Sequence, residues 1–278
     1  YNYLNKKYSN FFVNKKESED ILNEVLFGYD EISEYLESNN VKSILEIGSG
    51  TGILLNELKK SYPLINMMGI DPFLSGHSKF KTIFEKLDNK IKFIEDNIEN
   101  INLSEKFDLI FSINTLEHIN NWKIYLDKTN ERLNFNGKNI VLCPNYDFPY
   151  ESHYIIPIII NKKITYFFFK NYINRIDKNT NHIDRWQGLN FIKKSKLINY
   201  AKNFNKNYIF YFDNNIISRT MNRILKDNSL RKRQKYVGKI AIVGKYLYLD
   251  KILFKFFKLP FPYLKLIIVK AAANNIDK

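Results

Sequence analysis

Ile44-Leu45-Glu46-Ile47-Gly48-Ser49-Gly50-Thr51-Gly52 is the stretch that decides the fold. A short apolar run ends in three glycines spaced G-x-G-x-G, and an apolar-periodic stretch, 52–60, follows. The pattern predicts a buried strand, a tight turn and a helix. Glycine lets the backbone turn sharply and lets a ligand approach the main chain closely. A turn of this kind binds a nucleotide at the carboxyl ends of a parallel sheet. The spacing is not the G-x-G-x-x-G of dinucleotide sites, where a helix N-terminus meets a pyrophosphate. No Gly-Lys-Ser/Thr follows, so a P-loop is excluded. Glu46 would repel a pyrophosphate and attract a cation. Asp71 ends the next apolar run, where a carboxylate takes both ribose hydroxyls.

The chain outward from this turn repeats the alternation. Strands are predicted at Val41–Ile47, Asn66–Ile70, Ile91–Ile94, Phe107–Ile113 and Asn139–Cys143, the last after an Asn136-Gly137 turn. Helices are predicted at Ser18–Glu37 with Ser18 as N-cap, 52–60, Lys79–Leu87 and Trp122–Leu133. Alternating strands and helices mean α/β architecture: a doubly wound, mostly parallel sheet of seven strands. Beyond Cys143 the alternation fails. Pro144–Asn190 is aromatic-rich and reads as an irregular lid inserted after strand five. Lys196–Asn203 reads as a helix, Tyr208–Phe212 as strand six and Leu264–Lys270 as the closing strand. Met221–Leu259 reads as a basic, largely helical segment before it. The expected organisation is a helical segment 1–40, a cofactor-binding core 41–145, a substrate lid 146–190, and the end of the sheet with its basic insertion, 191–278.

Composition sets the bounds. With 278 residues, 45% hydrophobic and 26% charged, the chain buries a sizeable core as one large domain or a domain with an insertion. One cysteine excludes a disulfide framework and a Cys-based zinc site, and suits a reducing compartment. No apolar run approaches the roughly 18 residues that span a bilayer, and the polar, Asn/Lys-rich start shows no signal peptide. The expected location is cytoplasmic, either free or peripheral to the inner face of the membrane. The sequence starts at Tyr1, so a start Met is expected to precede it. The net charge is +14, and 14 Lys/Arg against two acids (Asp227, Asp250) fall between Arg219 and Lys270. That basic quarter suggests an anionic partner. The 37 Asn and five Ala suggest instead a compositional bias that raises Lys everywhere. Lys251–Pro260 mixes bulky apolar and basic residues, as a segment lying on an anionic membrane does, or as a packed helix with snorkelling lysines does.

Five segments in order, Leu45–Gly52, Gly69-Ile70-Asp71-Pro72, Glu95-Asp96-Asn97, Phe107-Asp108-Leu109-Ile110 and Asn114-Thr115-Leu116-Glu117-His118-Ile119, resemble the class I S-adenosylmethionine-dependent methyltransferases over about 100 residues. The resemblance implies S-adenosylmethionine as cofactor and S-adenosylhomocysteine as product. It implies that Glu46, Gly48, Ser49 and Gly50 contact the amino-acid end. Asp71, with Pro72 after it, would hold the ribose, Asp96 and Asn97 would border the adenine, and Asn114 would lie beneath the sulfonium.

Methyl transfer is a displacement at a carbon on a cationic sulfur, so alignment and exclusion of water supply most of the catalysis. A hydroxyl acceptor also needs a base or a metal; a phosphate-type oxygen needs neither. Asn114-Thr115-Leu116-Glu117 does not match the Asp/Asn-Pro-Pro-aromatic tetrad of amino-methylating nucleic-acid enzymes. Cys143 before Pro144 reads as a buried structural thiol rather than a nucleophile. Pro144-Asn145-Tyr146-Asp147-Phe148-Pro149-Tyr150-Glu151-Ser152-His153-Tyr154 resembles the subgroup associated with bacterial surface polysaccharide. The resemblance implies His153 as general base, Glu151 as its orienting or substrate-binding partner, and Tyr146, Tyr150 and Tyr154 as stacking faces for a sugar. His118 is a second catalytic candidate; the matching Glu-His pair of ubiquinone-biosynthesis O-methyltransferases sits in a more acidic setting, and Asn114 here replaces its carboxylate, so no metal is expected. His182 and Trp186 are further candidates for the acceptor site, or plain loop.

The expected function is O-methylation of a sugar or sugar substituent, a phosphate-type group included, in capsule or lipopolysaccharide biosynthesis. The alternatives are a lipid or quinone O-methyltransferase touching an anionic membrane, an RNA methyltransferase drawing on the basic quarter, and a cofactor-binding protein without catalysis. The expected partners are a small-molecule or saccharide acceptor and, peripherally, an anionic membrane, with nucleic acid disfavoured.

Overall fold

A computed structural model describes residues 1–73, 78–87, 91–180, 185–226, 243–244 and 260–271. In chain order the elements are α1 (Asn2–Tyr8), α2 (Lys15–Ser38), β1 (Ser43–Ile47), α3 (Ile53–Ser61), β2 (Asn66–Ile70), α4 (Ser78–Glu85), β3 (Lys92–Ile94), β4 (Phe107–Ile113), α5 (Trp122–Glu131) and β5 (Leu133–Pro144). The lid then contributes β6 (Tyr150–Glu151), β7 (Ile156–Pro157), α6 (Lys162–Thr180) and α7 (Arg185–Gly188), and α8 (Lys194–Lys202), β8 (Tyr208–Phe212), α9 (Asn215–Lys226) and β9 (Tyr263–Lys270) complete the order.

The chain divides into two units. One comprises Asn39–Phe212 with Pro262–Lys278 and holds a seven-stranded sheet in the order β3-β2-β1-β4-β5-β9-β8. The pairs from β3 through β5 are parallel, and β9 runs antiparallel to both β5 and β8. This is the expected doubly wound, class I methyltransferase-like sheet. Strands β1 and β4 lie at its centre. Ile44, Leu45, Leu109, Ile110 and Phe111 are completely buried, which explains why these strands read as continuous apolar runs rather than alternating ones. The order reverses between β1 and β4, so their carboxyl ends open a crevice.

The other unit comprises Tyr1–Ser38 with Asp213–Phe261, so the N-terminal helices group with the segment after β8. Helix α2 begins three residues before the expected Ser18. The Asn14 side chain accepts hydrogen bonds from the Lys16 and Glu17 amides at 2.9 and 3.3 Å and caps it, while Ser18 is buried inside the helix. Arg219, the first cation of the basic quarter, binds Glu31 through two nitrogens, each at 2.9 Å, and Asp213 at 2.7 Å. That guanidinium is a structural partner of a buried carboxylate. Most of Met221–Leu259, nearly all of Lys251–Pro260, and His182 lie outside the described residues.

Two further expectations change. The Asn136-Gly137 pair does not precede the fifth strand but lies within it. Asn136 adopts φ 61°, and the register with β4 shifts between Phe107 and Leu109, which marks a bulge. The lid is not irregular: it holds the short β6–β7 ribbon and the 19-residue helix α6. Its Ile, Tyr and Phe residues form helices poorly on their own. A separate cluster of Tyr154, Ile156, Ile173, Trp186 and Leu189 fixes α6 through its buried face.

Candidate active site

The glycine turn sits at the carboxyl end of β1, beside the end of β2. The Gly48 and Ser49 amides both donate to the Ile70 carbonyl, at 2.8 and 3.1 Å. Gly48 has φ +74°, and a Cβ there would lie 2.2 Å from Thr115 Oγ1. Thr115 in turn donates to the Ile47 and Ile113 carbonyls. The loop after β4 is therefore wedged against the turn after β1, in contact only a glycine permits. Gly50 has φ +50°, and a Cβ there would meet only Phe80, at an ordinary contact distance of 3.8 Å.

Asp71 is buried at the end of β2. One carboxylate oxygen accepts from the Gly50 amide at 2.9 Å and the other from the Phe73 amide at 2.8 Å. Burial raises its pKa above the ordinary carboxylate value, and the two backbone donors pull it back only in part. Glu46 is buried on β1 in register with Gly69 and Phe111. Ser49 Oγ is buried with no hydrogen-bond partner among the described residues. An orphaned hydroxyl, an uncrowded Gly50 and two buried acids suit a nucleoside carrying an ammonium group. Asp96 and Asn97 are half-buried beyond β3. Asp96 accepts from the Asn97 amide and from Asn100 Nδ2. Phe73, which sequence reasoning passed over, stacks on Phe93 of β3 with ring centroids 5.1 Å apart.

Asn114 follows β4 in the left-handed region at φ 50°, with its amide donating to the Leu142 carbonyl. Tyr263, at the start of β9, donates its hydroxyl to Asn114 Oδ1 at 2.8 Å. No local pattern marks Tyr263, because 149 residues separate the pair and only strand pairing unites them.

The second group begins two residues after Thr115. His153 Nδ1 lies 2.6 Å from Oε1 of Glu151, whose side chain is fully buried. Tyr146 donates to the same oxygen at 3.2 Å, and the Tyr154 amide donates to Oε2 at 2.8 Å. Burial opposes charge on the imidazole, but the hydrogen bond and charge of Glu151, aided by Glu117, outweigh it and raise the His153 pKa. Burial likewise favours the neutral form of Glu151, yet His153 and the amides hold its pKa below the ordinary range. The rings of His118 and His153 meet edge to face at 5.3 Å. One ligating atom each from Glu117, His118 and His153 lie within 4.8 Å of one another, a donor set a divalent cation accepts.

The three tyrosines part company. Tyr146 is buried and stacks on Phe191 at 4.3 Å, and Tyr154 is fully buried with its hydroxyl on Asp177 at 2.6 Å. Neither offers an open face for a sugar, because both rings belong to packed clusters. Tyr150 alone stays half-exposed. Trp186 is buried within the lid cluster, not along an open wall. Asn190, also unforeseen, donates through Nδ2 to the Leu116 and Ile119 carbonyls and through its amide to that of Glu117. It ties the end of the lid to the turn that carries Glu117 and His118. Cys143 is completely buried, and burial pushes its thiol pKa well up, as a structural thiol requires.

A family model described as a methyltransferase domain matches residues 20–205. An uncharacterised protein of Mycobacterium tuberculosis (strain H37Rv) is 30% identical over 186 residues, 64% of this chain and 62% of that protein. The chain thus spans less than two thirds of that relative. Malonyl-[acyl-carrier protein] O-methyltransferase 2 of Ilyobacter polytropus is 28% identical over 59% of this chain and 57% of its own. Among solved structures, the plantazolicin methyltransferase BpumL, in complex with a triazolic desmethylPZN analog and SAH, superposes with a TM-score of 0.52 at 14% identity. The superposition covers 98% of this chain and 89% of that one. At that identity the likeness is one of fold.

Proposed function

The chain belongs to the methyltransferase-domain family, whose cofactor is S-adenosylmethionine, and from that premise we propose that it methylates a hydroxyl oxygen of a sugar or sugar substituent in the assembly of cell-surface polysaccharide. The observation that carries this reading is the 2.6 Å contact between the buried Glu151 carboxylate and His153 Nδ1. A carboxylate on Nδ1 keeps the hydrogen on that nitrogen and the lone pair on Nε2. The imidazole is thereby oriented to take the proton from an acceptor hydroxyl, whose own pKa is too high for it to react unaided. Glu151 stays ionised under three donors and stabilises the imidazolium that results. Tyr146, expected as a sugar platform, acts here as a positioning residue through its hydrogen bond to Glu151.

When bound, the cofactor supplies an electrophilic methyl group on a cationic sulfur. The chain's part at that end is to hold it. Asp71 would offer its remaining lone pairs to the ribose hydroxyls. Glu46 would attract the ammonium, Gly48–Gly50 would allow close approach, and Asp96 and Asn97 would border the adenine. Asn114, which follows β4 and accepts from Tyr263, would lie beneath the sulfonium.

A carboxylate acceptor on an acyl carrier is the second reading, favoured by the relative from Ilyobacter polytropus. A carboxylate is already a nucleophile and needs no base. The test is incubation with methyl-labelled cofactor and a panel of nucleotide-linked sugars, lipid-linked saccharides, malonyl carrier protein and RNA. Label in an alkali-stable ether on a saccharide is the expected result. Label in an ester on the carrier protein, or in RNA, overturns the sugar reading.

A further inference from the structure

Helix α6 has two unlike faces. Its inner face carries Tyr166, Phe169, Ile173 and Ile176 into the lid cluster, and Asp177, its one acid, is buried on Tyr154. Its outer face displays Lys163, Phe167, Phe168, Lys170, Arg175 and Lys178. Phe167 is 79% exposed and Phe168 64%, and the two rings touch only edge to face, at 5.4 Å. Ile160, just before the helix, is 82% exposed and held at φ 59°, a conformation that costs a β-branched residue dearly. Three large apolar side chains thus stand in solvent within nine residues, and every exposed charge on the helix is positive.

The geometry points to an anionic lipid surface as the occupant of this face. The lid helix would lie flat in the headgroup layer with Ile160, Phe167 and Phe168 at the acyl boundary. Lys163, Lys170, Arg175 and Lys178 would reach lipid phosphates on either side of the rings. The exposed rings stand among side chains whose charges are all positive, which complements an anionic headgroup layer. A fluid interface moulds itself to such a surface, whereas a folded protein partner must match its shape. The chain's net charge of +14 draws it to the same surface. Helix α6 is a different stretch of sequence from Lys251–Pro260, the segment whose composition first suggested lipid, and the inference does not depend on which acceptor is methylated.

The test is sedimentation of the full chain with phosphatidylcholine vesicles, with and without roughly one-third phosphatidylglycerol. Binding to the anionic vesicles that weakens with salt is the expected result. Phe167→Ser with Phe168→Ser should lower that partition by roughly 100-fold, about tenfold per ring removed from the boundary. Lys163→Gln with Lys170→Gln should lower it about fivefold per charge. The unfolding temperature and S-adenosylhomocysteine binding of both variants should match those of the parent chain. Full vesicle binding by the Phe variant overturns the assignment and moves the contact to another basic segment. So does absence of binding by the parent chain, and so does capture of that chain by an acidic carrier protein without capture by vesicles.

Discussion

His153 Nδ1 and Glu151 Oε1 lie 2.6 Å apart, two residues from one another along the lid, with the carboxylate fully buried and the imidazole partly open. The pair is a charge-assisted hydrogen bond shielded from water, where such bonds are strongest. In the proposed mechanism this contact would orient the imidazole toward the acceptor hydroxyl.

If His153 is the base, His153→Ala lowers kcat by about 10²- to 10⁴-fold while leaving S-adenosylhomocysteine affinity nearly unchanged. Activity depends on the neutral imidazole, so kcat/KM rises with pH. Its inflection lies above the ordinary imidazole value of about 6.5, because Glu151 raises the His153 pKa. Glu151→Gln removes the raising charge and leaves the burial, so the inflection moves to lower pH. An inflection that stays in place in that variant assigns it to another group. The pair's stabilisation runs opposite to the activity at its upper end: it is lost as pH rises through the raised value of His153, and also lost as pH falls through the lowered value of Glu151.

Prolonged dialysis against EDTA leaves the activity intact in the base reading. Loss of activity, restored by a divalent cation, would instead make the Glu117, His118 and His153 donors a metal seat with His153 a ligand.

Gly48→Ala abolishes cofactor binding, read by calorimetry with S-adenosylhomocysteine. The left-handed backbone alone costs a side chain about 1–2 kcal/mol, and the added methyl would overlap Thr115 at 2.2 Å. Asp71→Asn weakens the same binding by roughly 10- to 100-fold, the worth of hydrogen bonds to a charged group. Because burial raises the Asp71 pKa, cofactor affinity should begin to fall at a higher pH on acidification than an ordinary aspartate would allow.

Cys143 stays unmodified by a thiol reagent in the folded chain and reacts once denaturant unfolds it, because its thiol is buried and neutral. Rapid labelling of the native protein would remove it from the core.

The alternation of strands and helices from Val41 to Cys143 and the three glycines after β1 were legible in the sequence, because both follow from local rules. Buried parallel strands must be apolar throughout, and a left-handed turn beside a ligand excludes side chains. Within one residue, β2, β4, β8 and β9 stand where their apolar runs place them. What only the tertiary structure decided depends on contacts between distant segments. The aromatic-rich lid became a helix because one face packs onto Trp186 and Tyr154, which no local propensity announces. Tyr146 became a support for Glu151 rather than a sugar platform, because Phe191, far along the chain, covers its ring. Tyr263 reached Asn114 through the antiparallel β5–β9 pairing, and Asn190 reached the Glu117 turn by closing the lid. Sequence periodicity carries the burial of a face; the identity of the neighbour across that face is set by how the chain returns upon itself.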